Sequence, residues 1–124
     1  MNFVKILQID DSPEICGLYA DMFKVDNHTI QSIHDGRKGL ELVIKNEYDL
    51  ILLDMCMPGY GGMDFLKDLK EKKPSELRKV VVTSVLEFTE TQSQELKKFG
   101  IHAVEEKPKD IQQLETLQKN MWLR

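Results

Sequence analysis

The sequence predicts a single α/β domain in which a parallel β-sheet is covered by helices on both faces. Short apolar segments alternate with longer segments of helical periodicity, which is the pattern of repeated βα units. The first strand-like segment is apolar on both faces, as a strand in a doubly covered sheet requires. Right-handed crossovers between parallel strands allow helices to lie on both sides. We therefore expect five βα units around one core.

The predicted strands differ in polarity, and the difference predicts their place in the sheet. The second strand is the most polar of the five. The third contains the run Leu50-Ile51-Leu52-Leu53, is the most apolar, and is expected at the centre. The predicted strands are about Phe3–Ile9, His28–Ile33, Asp49–Leu53, Lys79–Thr83 and Ile101–Val104.

The first two helices have recognisable start signals. Ser12 can cap free backbone amides, and Pro13 suits the first helical position. The apolar residues that follow at helical spacing predict a buried face made of Ile15, Leu18, Tyr19 and Met22. Asp35-Gly36 turns the chain into the second helix, whose apolar residues are Leu40, Val43 and Ile44.

The later helices are less uniform. A loop, Met57–Gly62, precedes the third helix, whose apolar residues are Phe65, Leu66 and Leu69. The fourth helix, about Glu90–Phe99, is weakly amphipathic, and Gly100 can end it. A last helix is expected after Asp110, with the apolar residues Ile111, Leu114, Leu117 and Met121.

Size and charge exclude several classes of protein. The chain has 124 residues, which suit one core, and its net charge of −4 argues against a nucleic-acid surface, which needs a basic face. No apolar run approaches the roughly 20 residues of a membrane span, and the first residues lack the regions of a signal peptide. Cys16 and Cys56 form neither a metal-like pair nor a disulfide framework. We expect a cytoplasmic protein without membrane insertion.

Polar residues follow several of the predicted strands, at the point where each strand ends. Asp10 and Asp11 follow the first strand, Asp54 the third and Lys107 the fifth, while Thr83 ends the fourth. Because ligands bind at the carboxyl edge of open α/β sheets, we expect these side chains to meet. Carboxylates held together are costly unless a cation offsets their charge, and Mg²⁺ prefers oxygen ligands. The set predicts a Mg²⁺ site that also accepts a phosphate oxygen.

Within this set, Asp54 is the candidate nucleophile. A carboxylate can attack phosphorus to give an aspartyl phosphate, and such transfer depends on positioning and charge neutralisation. Lys107 and Thr83 can each contact a phosphate oxygen. Taken singly, each has a plainer alternative: Lys107 lies in a charged run that suggests a solvated lysine, and threonine commonly ends a strand. Because both residues lie at the ends of predicted strands, beside Asp54, contact with a phosphate is favoured over these alternatives.

Other polar or aromatic residues are expected to have structural roles and to take no part in the chemistry. His28 and His34 flank the polar second strand and are predicted at surface or turn positions, and His102 within the fifth strand. Trp122 is predicted to pack or to form part of a surface patch. For Cys56, the backbone carbonyl is expected to matter more than the thiol.

The order and spacing of the strand-end residues resemble the receiver domain of two-component response regulators. The motifs are Asp10-Asp11, Asp54, Met57-Pro58-Gly59 with Gly62, Thr83-Ser84 and Lys107-Pro108. The resemblance covers residues 1–124 as one domain, of the single-domain chemotaxis type. It implies a flavodoxin-like, doubly wound (βα)5 sandwich with strand order 2-1-3-4-5, an order that periodicity does not supply.

The resemblance also implies a chemistry. Asp54 would receive a phosphoryl group from a phosphohistidine of a histidine kinase or a histidine phosphotransfer protein, and a downstream protein partner would respond. Mg²⁺ would be bound by Asp11, Asp54 and the backbone carbonyl of Cys56, with Asp10 assisting partly through water. Thr83 and Lys107 would hold the phosphoryl group. The protein would catalyse its own phosphorylation and dephosphorylation and would not be a conventional enzyme.

One position departs from the usual pattern of the family, and two others predict how long the phosphorylated state lasts. Receivers often carry Tyr or Phe three residues before the lysine, and Val104 stands there, which puts the usual coupling of threonine to an aromatic ring in question. By the same resemblance, Cys56 and Val85 face the water that hydrolyses the aspartyl phosphate. A thiol is a weak hydrogen-bonding group and valine is apolar, so slow self-dephosphorylation is expected.

Two other functions fit the sequence less well than a stand-alone phosphoacceptor switch. A haloacid-dehalogenase-type phosphatase uses Asp-x-Asp, but Cys56 occupies the second position and cannot act as acid and base. A flavodoxin has a phosphate loop rich in Ser, Thr and Gly after the first strand, whereas Asp10-Asp11-Ser12-Pro13 repels phosphate without a metal. The switch is therefore the favoured function, with no output domain expected after residue 124.

Overall fold

Five parallel strands form one sheet, in the order β2-β1-β3-β4-β5. The computed structural model describes residues 4–25, 28–84 and 87–107, together with residues 112 and 116. The strands are β1 (Lys5–Ile9), β2 (Thr29–Ile33), β3 (Leu50–Asp54), β4 (Val80–Ser84) and β5 (Ala103–Glu106). The helices are α1 (Pro13–Val25), α2 (Gly36–Lys45), α3 (Gly62–Lys72) and α4 (Glu90–Lys97), and a 3₁₀ helix spans Pro74–Lys79. The predicted flavodoxin-like fold and strand order are confirmed.

The core has two layers because successive strand residues point to opposite faces of the sheet. On one face, residues such as Leu7 and Leu53 pack with α2, α3 and Leu96 of α4. On the other, Ile6 and Leu52 pack with Tyr19 of α1. All five residues of β3 are buried, so the prediction of a central third strand is correct.

Strand limits differ from the predicted ones, most clearly in β5. The prediction of Ile101–Val104 follows apolarity, but the strand runs Ala103–Glu106. Ile101 is buried before the strand begins, and His102, predicted inside the strand, lies in the preceding bend. Pairing sets the limits instead, since Glu105 pairs with Thr83 in β4. The 3₁₀ helix before β4 was not predicted.

The predicted buried face of α1 is only partly correct. Ser12 accepts a hydrogen bond from the backbone amide of Ile15 at 3.4 Å, as a capping residue does. Cys16 and Tyr19 are buried one turn apart, but Leu18 is 47% exposed. The core-facing stripe is therefore narrower than the apolar pattern suggests. The Met22 side chain lies outside the described part of the chain. Of the predicted helix after Asp110, only Gln112 and Thr116 are described; both are helical, and the apolar residues of that helix lie outside the description.

Helix α4 is held to the core by few contacts, as its composition predicts. It begins with a capping box in which Thr89 and Gln92 satisfy each other's backbone amides. Leu96 is its only buried residue. The helix ends at Lys97, two residues before the predicted Phe99, and Gly100 adopts a left-handed φ of 85°. Such a φ favours glycine, so the predicted terminating role of Gly100 is confirmed.

Candidate functional site at the carboxyl edge of the sheet

The carboxyl edge of the sheet brings the predicted residues together. Asp54 is the last residue of β3 and pairs with Thr83 of β4, while Asp10 and Lys107 directly follow β1 and β5. These four residues are buried, whereas Asp11 is exposed. The convergence of parallel strand ends therefore places a cation and two carboxylates in a nearly closed pocket, with a third carboxylate at its mouth.

Lys107 lies between the two buried carboxylates. Its Nζ is 2.7 Å from Asp10 Oδ2 and 3.2 Å from Asp54 Oδ1, and its side chain is 6% exposed. Burial opposes the ammonium charge, but the hydrogen bond and charge of Asp10, followed by those of Asp54, raise the pKa of Lys107. The alternative of a solvated surface lysine is therefore wrong.

Asp54 occupies an environment that disfavours its negative charge. Burial and the nearby charge of Asp10 raise the pKa of Asp54. The backbone amide of Cys56, 3.2 Å from Asp54 Oδ1, and the ammonium of Lys107 oppose this rise without cancelling it. A carboxylate in this environment gains from any further positive charge in the pocket.

Three carboxylates form an acidic cluster suited to a divalent cation. One oxygen from each of Asp10, Asp11 and Asp54 lies within 4.8 Å of the other two. Asp10 also accepts a hydrogen bond from the backbone amide of Ser12 at 2.9 Å, which fixes one of its oxygens. Mg²⁺ prefers oxygen ligands such as these carboxylates. The ion also keeps several waters, which the partly exposed site can accommodate.

The hydroxyl of Thr83 is engaged with the sheet. Its Oγ1 donates to the backbone carbonyl of Leu53 over 3.4 Å, a long hydrogen bond within a buried region. Thr83 is thus beside Asp54 in register, as predicted, with its hydroxyl bound to the strand that carries Asp54. Val104, where an aromatic residue is frequent, is half-buried and packs against the core.

One histidine and one cysteine lie closer to the site than the sequence suggested. His34 is exposed, in agreement with its predicted surface or turn position, yet its Nδ1–H donates to the backbone carbonyl of Asp10 over 2.9 Å. The Cys16 thiol lies 3.7 Å from the same carbonyl. His28 lies at the opposite, amino edge of the sheet, where it accepts from the backbone amide of Val4 at 3.3 Å. Trp122 and Val85 lie outside the residues described.

Sequence reasoning missed Tyr60, which anchors the loop after Asp54. Its hydroxyl donates a short hydrogen bond to the carboxylate of Asp68 in α3. The guanidinium of Arg37 in α2 lies 4.5 Å from the centre of its ring. A Cβ atom at Gly36 would lie 2.7 Å from Tyr60 Cδ2, so glycine is required for the ring to pack there. Nothing in the periodicity of a loop marks such a residue.

Burial, followed by the hydrogen bond to Asp68, raises the pKa of Tyr60, so its hydroxyl keeps its proton and remains a donor. The same loop is closed by a hydrogen bond from the Gly62 amide to the Met55 carbonyl, 3.0 Å long. The segment that carries Cys56, beside the acidic cluster, is therefore fixed to two helices.

A family model described as the response regulator receiver domain matches residues 6–119. The transcriptional regulatory protein ResD of Bacillus subtilis is 33% identical over 76 residues, which cover 61% of this chain and 32% of ResD. CpxR of Escherichia coli K12 is 36% identical over 67 residues, covering 54% of this chain and 28% of CpxR. The matches thus span about a third or less of these curated relatives.

Solved structures show the same architecture over nearly the whole chain. The receiver domain of the Francisella response regulator 1452 is 28% identical with a TM-score of 0.77, covering 98% of both chains. The chemotaxis protein CheY4 of Vibrio cholerae is 25% identical with a TM-score of 0.79, covering 95% of this chain and 98% of that one. Within the described residues, no helix is long and apolar enough to cross a bilayer. Sequence, fold and site agree: the chain belongs to the response regulator receiver domain family, the phosphorylation-dependent switches of two-component signalling.

Proposed function

We propose that Asp54 is the phosphoacceptor of this receiver domain and that its donor is a phosphohistidine of a histidine kinase or a histidine phosphotransfer protein. The observation that carries this proposal is the buried Lys107 ammonium, 3.2 Å from Asp54 Oδ1 and 2.7 Å from Asp10 Oδ2. A buried cation held beside a carboxylate of raised pKa supplies what a phosphoryl acceptor needs, namely an ionisable oxygen and positive charge at the transferred oxygens.

In the transfer, an Asp54 carboxylate oxygen forms the new bond to phosphorus while the phosphorus–nitrogen bond of the donor breaks. The histidine nitrogen leaves with the electron pair of that bond and takes a proton from solvent, which gives a neutral imidazole. Lys107 then contacts a phosphoryl oxygen, having already been held in place by Asp10. Positioning and charge neutralisation account for most of the acceleration in reactions of this kind.

Mg²⁺ is the proposed cofactor, held by Asp10, Asp11, Asp54 and the backbone carbonyl of Cys56. The cluster of three carboxylate oxygens within 4.8 Å supports this assignment for the side chains, and the family resemblance supports it for the carbonyl. When bound, the ion supplies positive charge to the phosphoryl oxygens. Asp10 keeps its contact with Lys107, so the two cationic groups share the acidic pocket.

The remaining roles concern the signal itself. Thr83 would exchange its long bond to the Leu53 carbonyl for a phosphoryl oxygen, which would move β4 and the start of α4. A downstream protein partner would read that change, and residues 1–124 would act as one cytoplasmic receiver domain. With a cysteine at position 56 and a valine at 85, self-dephosphorylation would be slow.

Mass measurement after incubation with acetyl phosphate tests the proposal. We expect one phosphoryl adduct in the presence of Mg²⁺, none after chelation, and none in Asp54→Asn. Asp64→Asn, which changes an exposed carboxylate in the first turn of α3, is the matched control and should keep the adduct. An adduct of equal yield in Asp54→Asn would refute the assignment.

A further inference from the structure

A groove opens beside the phosphoacceptor, and Lys107 is not among the residues that line it. It has a volume of about 370 Å³ and lies between the start of α3, the segment after Asp54 and helix α4. Two of its lining residues, Met55 and Ser84, directly follow Asp54 and Thr83 in sequence, and the others belong to the flanking segments. The lining residues are Met55, Cys56, Met63, Ser84, Glu87, Phe88, Gln92, Glu95 and Leu96.

The wall of the groove is apolar and adaptable. Met55, Met63 and Phe88 are partly buried hydrophobic residues packed against the core, and Leu96 is buried. Methionine side chains are flexible and polarizable, so they adjust to different apolar partners and are frequent at protein-binding surfaces. The volume suits one or two large side chains and is too small for a whole helix. The groove therefore fits an apolar side chain presented by an extended segment.

The rim of the groove is acidic. Glu87 and Glu95 line it and are exposed, and no Lys or Arg is among its lining residues. The chain as a whole carries a net charge of −4, which adds to the same field. A partner with a positive charge beside its apolar side chain is thus attracted, and one with a negative charge is repelled.

From this combination we infer that the groove is a docking site for an extended peptide segment of a partner protein, in which a large apolar side chain is flanked by Lys or Arg. Apolar burial against the methionines supplies the affinity, and the acidic rim supplies the selection by charge. Binding of this kind does not require chemistry at Asp54. It is therefore tested on the unphosphorylated protein, so its failure is distinguishable from failure of the proposed phosphorylation.

The test uses protein labelled at the methionine methyl groups and three short peptides. The first has leucine and phenylalanine between two lysines, the second has glutamates in place of the lysines, and the third has serines in place of the apolar pair. We expect the first peptide alone to shift the methyl resonances of Met55 and Met63, with a saturable change.

Charge-reversal variants locate the binding. Reversing both rim charges, in Glu87→Lys with Glu95→Lys, should weaken the first peptide about tenfold or more, because two attractions become repulsions. The matched control reverses two exposed glutamates outside the groove, in Glu41→Lys with Glu71→Lys, and should bind nearly as well as the wild type. Circular dichroism checks that both variants are folded.

Three results would overturn the inference. They are equal binding of the lysine and glutamate peptides, shifts that spare Met55 and Met63, and equal weakening by the two charge-reversal variants. The last would show attraction by net charge alone.

Discussion

Replacing Lys107 with methionine removes the only cation that directly contacts the buried Asp10 and Asp54 carboxylates among the described residues. Methionine keeps most of the apolar length of the lysine stem and deletes the charge. The three side chains are 6%, 2% and 4% exposed for Lys107, Asp10 and Asp54, so solvent replaces little of what is lost. The variant therefore leaves two neighbouring carboxylates buried without compensation.

The expected cost is large for a single substitution. Removing one partner of a buried ion pair typically costs about 3–5 kcal/mol, because the remaining charge stays desolvated. The site retains the backbone amides of Cys56 and Ser12 as donors to Asp54 and Asp10, which favours the lower half of that range. We therefore expect a loss of about 3 kcal/mol in the free energy of unfolding at pH 7.5 without divalent cations.

The cost should shrink as the pH falls. Without Lys107, an influence that lowers the pKa of Asp54 is gone, so that pKa rises further above its unfolded value. An acid with a raised folded pKa destabilises the fold above that pKa, and the penalty disappears as pH approaches the unfolded value, about 3.9. The difference between wild type and variant should therefore be smaller at pH 5 than at pH 7.5.

Urea unfolding at the two pH values, with and without Mg²⁺, measures these effects. Mg²⁺ should stabilise the variant more than the wild type, since a ligand at one hundred times its dissociation constant contributes about 2.7 kcal/mol and the variant has the greater unbalanced charge. Lys38→Met, an exposed lysine in α2, should stay within about 0.5 kcal/mol of the wild type. A loss below about 1 kcal/mol in Lys107→Met would refute the reasoning, because that range belongs to surface ion pairs.

The metal, helix α4 and the attacking water each lead to a further expected outcome. Mg²⁺ should raise the melting temperature of the wild type but not of Asp11→Ala, which loses a ligand carboxylate; an equal rise in both would contradict the metal site. Phosphorylation should change hydrogen exchange most between Thr83 and Val104, where helix α4 has a single buried anchor; similar changes in every helix would contradict this. Replacing Cys56 with Asn and Val85 with Gln should speed loss of the phosphoryl group, as followed by intact mass, and unchanged decay would show that neither residue governs the water.

Most of the site was predictable because strand ends in a parallel sheet meet at one edge. Asp10, Asp54, Thr83 and Lys107 are far apart in sequence, yet each ends or follows an apolar segment, and that position alone places them together. Periodicity predicts that the most apolar strand lies at the centre of the sheet but not the order of the other strands. That order came from the family resemblance. The close contact between Lys107 and Asp10 was not predicted, since side-chain pairing across the sheet leaves no mark in either segment.

The errors have a common cause in tertiary contacts. Ile101 is apolar because it packs against the core before β5 starts, and Leu18 is apolar although the core reaches only its neighbour Tyr19. In both cases the residue is apolar, as the prediction assumed, but its position in the fold differs from the predicted one. Tyr60 is the clearest case, because its ring is held by residues of α2 and α3 that are distant in sequence.

The anchoring of Tyr60 makes the surroundings of Asp54 unequal in stiffness. On one side, the loop after β3 is fixed through Tyr60 to Arg37 and Asp68, and a close contact at Gly36 leaves it no free volume. On the other side, α4 is fastened by Leu96 alone among its residues. When both elements experience the same local force, the one with fewer anchoring contacts, helix α4, moves further than the loop after β3. A displacement that starts at the phosphoacceptor should therefore appear in α4, while α2 and α3 remain a fixed frame against which that movement is measured.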